Sequence, residues 1–484
     1  MAAGCAALVV PLPAHEVVPD GPATPFRWDA DELFAALEAE LEAAERAPAG
    51  ARARLTDIEA EADRLLAHLD TAALPSEALA ALATLQMRAA VQGAAHAELL
   101  PRVLDLVVRT RVEVMRAAAA WPLDREAHEA VHRVIAGGRM ALDEALVQAG
   151  VHALPELVQV EDIPSATPSV VVEGVRVHSG DILLSRGGAP TSALIARGND
   201  FANTFSHAAL VHVDEETGEA TVVEALIEAG SVTSTVEEYL AAKKHRILVL
   251  RLRPDHPALV ADPMLPHRAA EWMLERVRGG HIPYDFAMAW SDPERAFCSE
   301  IVYHAYREQG VELWSIRSSM SSPGLVAWLG AMGVRELTSL VPSDLEYDPQ
   351  VRAVAEWRNA DALTDFRLDN AVIDALLEEA ERGARLGYAW WALPGARALK
   401  AWSVGQELAG VRPLIPEGMS PSTALRVDAL VSRVHPAVKA RLAALAAEHA
   451  ARTGRQAPYW TLVDLAREAL AAERGELAPA LRRP

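Results

Sequence analysis

Between Asp29 and about Gly150, apolar residues recur at spacings of three and four, a pattern that predicts amphipathic helices. Pro75 and the pair Trp121-Pro122 interrupt this pattern, so several separate helices are expected. We therefore predict an N-terminal extension over residues 1–28 and a helical domain over residues 29–153. The apolar positions that define the pattern are Leu33, Leu37, Leu41, Leu104, Val107, Val108 and Val112.

Residues 154–169 contain three prolines among Ser, Thr and acidic residues, a composition typical of a linker. From residue 170 to residue 347 the pattern changes to short β-branched runs separated by turn signals. The strands are expected in Ser169–Val177 (with a turn at Glu173-Gly174), Ile182–Leu184, Phe205–Val213, Ala220–Ile227 and His245–Arg253.

Short helices are expected between and after these strands. Thr191–Arg197 fits one or two turns, Thr235 and Glu238 have the spacing of a capping box, and Pro266–Arg278 is helical up to Gly279-Gly280. The helical pattern returns over residues 348–484. The expected fold class is therefore α+β.

Composition and charge exclude some functions. The chain has 484 residues and a formal net charge of −21, whereas nucleic-acid binding needs a basic surface. Solubility is the simplest reading of this acidity. No apolar run reaches the roughly 18 residues of a membrane span, so we expect no spanning helix.

The chain has two cysteines, Cys5 and Cys298, too few for a disulfide framework or a Cys-rich zinc site. Residues 1–5, Met-Ala-Ala-Gly-Cys, resemble the end of a lipoprotein cleavage site. If the natural start lay upstream, Cys5 would carry lipid and the protein would lie in the cell envelope. Otherwise Cys5 is an ordinary residue, and the sequence as given indicates the cytoplasm.

Cys298 stands at the start of a predicted helix in which Ile301, Val302 and Ala305 share one face and Gly310 suits the end. A thiol at a helix N-terminus meets free backbone N–H groups and the positive end of the helix dipole, which both favour the thiolate. The same N–H groups can hold an oxyanion. Cys298 is therefore the candidate nucleophile.

A thiolate nucleophile needs a base, and the base needs an orienting group. His207 lies in one predicted strand and Glu224 in the next. If the hairpin turns around Glu215-Glu216, Glu224 lies opposite His207 or within about one residue of it, close enough for a hydrogen bond.

Other residues near Cys298 have alternative interpretations. Tyr284 and Ser299 are candidates for binding the substrate or the oxyanion, although Tyr284 is equally suited to pack under the helix. Glu300 suits stabilisation of the helix start. His212 has the opposite strand parity from His207 and is expected on the other face, and His304 is interpreted as structural.

The ordered set of motifs resembles the YiiX/YebB-like permuted papain-like hydrolases, a branch of the NlpC-type cysteine peptidase superfamily. The motifs run in the order histidine, glutamate, cysteine, which is the permuted order, and they cover residues 170 to about 360. They are GDILL (180–184), FSHAALVHV (205–213), VVEA (222–225), PYDF (283–286), FCSE (297–300) and VAEWR (354–358).

The resemblance implies a small antiparallel sheet or barrel packed on the cysteine helix, flanked by mostly helical regions. It also implies that Cys298 is the nucleophile, His207 the base and Glu224 the orienting residue of an amidase or peptidase that needs no metal or cofactor. Cell-wall peptides are the implied substrate class. Two alternatives stay open: a lipid-directed acyl hydrolase or acyltransferase similar to lecithin:retinol acyltransferase, and a catalytically silent binding module.

Overall fold

A computed structural model describes residue 25 and residues 31–482, apart from residues 291, 293 and 410. Cys5, the candidate lipid-anchor residue, lies outside the described residues. The helices are α1 (Asp31–Arg46), α2 (Pro48–Ala67), α3 (Ser76–Ala95), α4 (Leu100–Ala117), α5 (Arg125–Ala149), α6 (Pro190–Arg197), α7 (Val236–Ala241), α8 (Pro257–Ala261), α9 (Leu265–Gly279), α10 (Cys298–Glu308), α11 (Pro323–Met332), α12 (Leu363–Glu381), α13 (Leu393–Leu408), α14 (Pro421–Ala429), α15 (His435–Thr453) and α16 (Tyr459–Leu477).

The strands form one large antiparallel sheet and two small ribbons. The large sheet has seven strands in the order β1-β9-β8-β4-β5-β6-β7. Together with the helices it gives the α+β class expected from the sequence. The strands are β1 (Leu157–Gln159), β2 (Ser169–Val172), β3 (Val175–His178), β4 (Ile182–Gly187), β5 (His207–Val213), β6 (Ala220–Leu226), β7 (Gly230–Thr235), β8 (Lys244–Leu252), β9 (Val351–Arg358), β10 (Arg385–Leu386) and β11 (Leu481–Arg482).

Side chains alternate along each strand and so point to the two faces of the large sheet. Both faces are buried because other elements cover them. On one face, Ile182, Leu184 and Leu210 pack with α9 and α10. On the other face, Leu183 and Val211 pack against the β2–β3 hairpin and α7. The cysteine helix therefore lies directly on the sheet.

Several local predictions are confirmed. Glu173 and Gly174 take positive φ values of 43° and 81° between β2 and β3, the geometry of a tight hairpin turn. Thr235 caps α7 with a complete capping box to Glu238. The break at Trp121-Pro122 separates α4 from α5.

The large sheet extends beyond the strands expected from the sequence. Residues 154–169, which the composition indicates as a linker, contain β1, and β1 pairs with β9. Strand β9 lies after residue 347, where the region of short strands was expected to end, yet it pairs with both β1 and β8. Strand β7 was also not expected and forms the opposite edge of the sheet. The division of the chain into domains stays a prediction.

The flanking helical regions have their own apolar cores. Helices α1–α5 bury Leu residues such as Leu55, Leu79 and Leu100, in agreement with the helical pattern of residues 29–150. Helices α12, α15 and α16 form a second bundle around Leu376, Val438 and other apolar residues. Among the described helices, none combines the length and apolar character needed to cross a membrane.

Candidate active site

Cys298 is the first residue of α10, as expected from the sequence, and is 4% exposed. Ile301, Val302 and Ala305 are buried on the face of α10 that packs on the sheet. The helix ends near Gln309, and Gly310 follows with a φ of 80°. The sulfur therefore sits at the positive end of the helix dipole, which favours a thiolate.

His207 is the first residue of β5, and its imidazole Nε2 lies 2.6 Å from Glu224 Oε2. Nε2–H donates to the carboxylate, which leaves Nδ1 as the ring nitrogen available to the Cys298 sulfur. The ring lies beside that sulfur, and hydrogen bonding between the two raises the pKa of His207. The backbone N–H of the next residue, Ala208, helps to lower the pKa of Cys298. The structure thus brings Cys298, His207 and Glu224 together.

The pairing of β5 with β6 is shifted by two residues from the pairing expected from the sequence. Leu210 pairs with Val223, so the residue opposite Glu224 is Ala209 and not His207. The turn lies further along the chain because the Asp214 side chain accepts the N–H groups of Glu216 and Thr217. A shift of two keeps Glu224 on the same face as His207, and diagonal neighbours are still within reach of long side chains.

The electrostatics of the pair favour thiolate and imidazolium. Burial opposes the thiolate, but hydrogen bonds from His207 and from the Ala208 backbone outweigh it, so the pKa of Cys298 is lowered from its ordinary value. Burial also opposes the imidazolium, yet hydrogen bonds to Cys298 and Glu224 raise the pKa of His207 to about 9. Both shifts favour the thiolate–imidazolium ion pair over the neutral thiol and imidazole.

Tyr284 lies on a segment held close to the cysteine helix. Ala296 N donates to Pro283 O at 3.0 Å, and Ser231 N donates to Ile282 O at 2.9 Å. The second bond needs Gly230, since a Cβ at that position would lie 2.4 Å from Ile282 O. Burial and the proximity of the acidic groups of Cys298 and Glu300 raise the pKa of Tyr284 well above its usual value. The phenol therefore stays a neutral hydrogen-bond donor.

Ser299 follows Cys298 and is completely buried. Its hydroxyl has no hydrogen-bond partner of normal geometry among the described residues. Its dipole contributes to lowering the pKa of the neighbouring Cys298. An oxyanion role for Ser299 or Tyr284 stays a prediction.

Glu300 stabilises the start of α10, the role that the sequence suggested for it. Its Oε2 accepts the Phe297 backbone N–H at 2.7 Å. Burial, together with Asp285 and Asp292, raises the pKa of Glu300 to about 9, so the side chain is a neutral acid at pH 7. Burial and nearby arginines lower the pKa of His304, one turn further along, to about 4. His304 is therefore neutral and does not compete with His207 as a base.

The other face of β5 carries His212, as its parity predicts. Its ring stacks on His267 of α9 with ring centroids 5.3 Å apart. Burial and the proximity of His267 lower the pKa of His212. This histidine therefore belongs to the packing between the sheet and α9.

Three residues near His207 were not singled out from the sequence. Ser185 is paired with His207 across β4 and β5, and its hydroxyl accepts a 3.0 Å hydrogen bond from Tyr239. Lys244 Nζ lies 3.8 Å from the centre of the Tyr239 ring. Ser185, Tyr239 and Lys244 therefore lie on the side of the site next to the imidazole ring. No sequence signal identifies them, because each is an ordinary strand or helix residue until the sheet is assembled.

No group of three or more His, Cys, Asp or Glu side chains with the arrangement of a metal site occurs among the described residues. A buried cysteine at a helix N-terminus, hydrogen bonded to a histidine that is held by a carboxylate, defines the class of papain-like thiol hydrolases.

Comparison with known proteins agrees with this class. The sequence model of the family described as "Permuted papain-like amidase enzyme, YaeF/YiiX, C92 family" matches residues 176–355. This part of the chain is therefore similar to the permuted papain-like amidases of that family, and the protein is a hydrolase of the amidase or peptidase type. The resemblance identified from the sequence motifs is confirmed.

The search of solved structures returns the crystal structure of metalloprotein yiiX from Escherichia coli O157:H7. It is 20% identical, covers 37% of this chain and 98% of that chain, and has a TM-score of 0.31. A similarity at this TM-score defines neither fold nor site. No curated protein matches the chain.

Proposed function

We propose that this protein is a cysteine amidase that works through a thioester acyl-enzyme, with Cys298 as nucleophile, His207 as base and Glu224 as orienting residue. The observation that carries the proposal is the arrangement of Cys298, at the start of α10, beside an imidazole whose Nε2 lies 2.6 Å from the Glu224 carboxylate. The match to an amidase family supports the same reaction type.

In the first step the Cys298 thiolate attacks the carbonyl carbon of an amide and forms a tetrahedral oxyanion. Backbone N–H groups at the start of α10 and the neutral Tyr284 phenol are the proposed donors to that oxyanion. The imidazolium of His207 gives its proton to the leaving amine, and a thioester remains. His207, now neutral, takes a proton from water as the water attacks the thioester; the carboxylic acid then leaves, and the Cys298 thiolate is restored beside the imidazolium.

Peptide amides of the bacterial cell wall are the first substrate class to test, as the resemblance implies. Lipid amides or esters are a second candidate, since exposed Val411 and Leu414 lie in the segment that leads to the surroundings of Tyr284. A screen of muropeptides against N-acyl amides and acyl esters separates the two classes. Turnover of only one class identifies the substrate type.

An iodoacetamide–alkyne probe tests the nucleophile directly. At neutral pH we expect rapid labelling of Cys298, none of that site in Cys298→Ala, and unchanged labelling of that site in Cys5→Ser. Labelling of His207→Ala should fall about tenfold or more, because the thiolate fraction falls tenfold for each unit by which the thiol pKa rises. Equal, slow labelling of Cys5 and Cys298 in the wild type would refute the nucleophile assignment and favour a silent binding module.

A further inference from the structure

On helix α13 the large apolar side chains face solvent, which is the reverse of the arrangement expected for a helix on the surface of a water-soluble protein. The helix buries only two small residues, Ala396 and Ser403. Its large apolar side chains point to solvent instead: Trp402 is 66% exposed and Leu408 is 87% exposed. A helix that packs on a protein core normally places its apolar residues inward and its polar residues outward.

The polar side chains of α13 are turned inward because they hold the chain segment that follows the helix. Lys400 Nζ donates to Pro416 O at 2.9 Å, and Ser403 Oγ accepts the Ile415 N–H at 2.9 Å. Gln406 Oε1 accepts the Leu414 N–H at 3.2 Å. These bonds fix the rotation of the helix, so the outward apolar face is part of the folded structure.

The exposed apolar surface is concentrated in this region. The described residues contain ten strongly exposed large hydrophobic side chains, and eight of them lie between residues 390 and 414. We call these eight the α13 patch. They are Trp390, Trp391, Leu399, Trp402, Val404, Leu408, Val411 and Leu414.

The charge of the region differs from that of the whole chain. Asp and Glu number 67 in the protein, yet residues 390–414, which carry the patch, contain one acidic residue, Glu407, against three basic residues. Arg397 is exposed on α13 beside the patch. An apolar face rich in Trp with an exposed arginine beside it complements the interface of a bilayer, where indole rings lie among the headgroups and Arg reaches lipid phosphates.

The patch is connected to the surroundings of the candidate active site. The segment after α13 passes Gly418, where a Cβ would lie 3.3 Å from the Phe286 ring. The Phe286 ring is 5.2 Å from the Tyr284 ring, and Glu417 pairs with His281 at 3.0 Å. A surface that binds α13 therefore lies fewer than twenty residues along the chain from the residues that contact the Tyr284 segment.

We propose that the α13 patch docks the protein in the plane of a lipid bilayer that contains anionic phospholipid, with the Trp side chains at the headgroup level. This is an interfacial attachment in which α13 lies along the bilayer surface. It goes beyond the hydrolase chemistry and does not depend on the role of Cys298.

Flotation with vesicles of equal parts phosphatidylcholine and phosphatidylglycerol tests the proposal on the full chain. We expect the wild type to float with the vesicles. The triple variant Trp391→Ser, Trp402→Ser, Leu408→Ser should reduce the bound fraction about tenfold or more, because three exposed apolar anchors are removed. The matched control is Val171→Ser, Val260→Ser, which changes two exposed apolar residues outside the patch and should float like the wild type.

Two results would overturn the proposal. One is a wild type that stays with the soluble fraction. The other is a stable dimer in analytical ultracentrifugation that the triple variant converts to monomer without any vesicle binding by either form, since the patch would then bind a second copy of the chain. Thiol labelling of Cys298 is measured on the same samples. We expect it to be equal in wild type and triple variant, so failure of docking is distinguished from failure of the catalytic assignment.

Discussion

The Cys298 sulfur and the His207 imidazole form a pair in which each charge stabilises the other. The pKa of Cys298 is lowered and the pKa of His207 is raised to about 9. Below the lowered thiol pKa the nucleophile is protonated, and above about 9 the imidazolium has lost the proton that the leaving amine needs. Hydrolysis should therefore have a bell-shaped pH profile with its alkaline limb near 9.

Glu224→Gln tests the origin of the alkaline limb. The carboxylate stabilises the imidazolium at 2.6 Å, so its neutral isostere should lower the pKa of His207 and move the alkaline limb of kcat/KM to lower pH. The pH dependence of kcat/KM on the best substrate of the screen gives the measurement. Glu219→Gln, on the exposed hairpin loop, is the control and should keep the limb in place. An unmoved limb in Glu224→Gln would show that another group holds the imidazolium.

At the residue scale the sequence predicted that Cys298, His207 and Glu224 lie together, and the structure brings them together with a different strand register. Strand parity placed His207 and Glu224 on one face, because the side-chain period of two is a local property. The predicted pairing of β5 with β6 was wrong by two residues. The position of the turn sets this pairing, and it depends on the Asp214 side chain and on Gly218 adopting a φ of 70°. Ser185 and Tyr239 are brought together only by strand pairing over long distances.

The cysteine helix depends on a neutral glutamic acid at its start. Glu300 accepts the Phe297 N–H and has a pKa of about 9 in the fold, well above its ordinary value near 4.5. A carboxyl whose pKa is raised by folding is ionised more readily in the unfolded chain. Its contribution to the free energy of unfolding therefore decreases as the pH rises from about 4.5 to about 9.

Two substitutions of Glu300 distinguish the contribution of its hydrogen bond to stability from the contribution of its ionisation. Glu300→Gln keeps the acceptor and removes the ionisation, so its stability relative to the wild type should increase between about pH 5 and about pH 8. Glu300→Ala removes the acceptor and should lower the free energy of unfolding by about 1–2 kcal/mol at pH 5. Urea unfolding at both pH values measures these changes. A Glu300→Gln variant that loses stability as the pH rises faster than the wild type would contradict the neutral form.

At the scale of elements, the sequence predicted those with strong local signals and missed those that depend on distant pairing. The capping box of α7, the β2–β3 turn and the start of α10 are local, and all three are confirmed. Strand β1 has only three residues in a proline-containing segment, and it is defined by pairing with β9 nearly 200 residues later. Local periodicity carries no information on such a partner.

The N-terminal helices are joined to the sheet region by a buried ionic network. Glu346, on the turn between α11 and β9, accepts hydrogen bonds from Arg111 of α4 and Arg139 of α5. Arg246 of β8 bonds to Asp143 of α5 at 2.6 Å and to Glu356 of β9 at 2.8 Å. A buried charge that loses its partner is strongly destabilising, so this network couples the helical layer to the sheet.

Glu346→Gln tests this coupling. The substitution removes the hydrogen-bonded counter-charge of Arg111 and Arg139, leaving Glu356 at 3.8 Å from Arg139, and should lower the free energy of unfolding by about 3 kcal/mol. Asp105→Asn removes an exposed partner of Arg109 and serves as the control, with an expected change of at most about 1 kcal/mol. Urea unfolding followed by circular dichroism measures both. Equal, small effects would show that the helical layer is stabilised independently of the network.

The position of Cys298 has a consequence for oxidation. A thiolate paired with an imidazolium reacts readily with hydrogen peroxide and forms a sulfenic acid. Cys298 is a free, buried cysteine, and the described residues contain no second thiol to convert that acid into a disulfide. Oxidation is then expected to proceed to the irreversible sulfinic acid unless another thiol intervenes, either Cys5 or one from outside the chain. The proposed ion pair thus makes the activity sensitive to the supply of a reducing thiol.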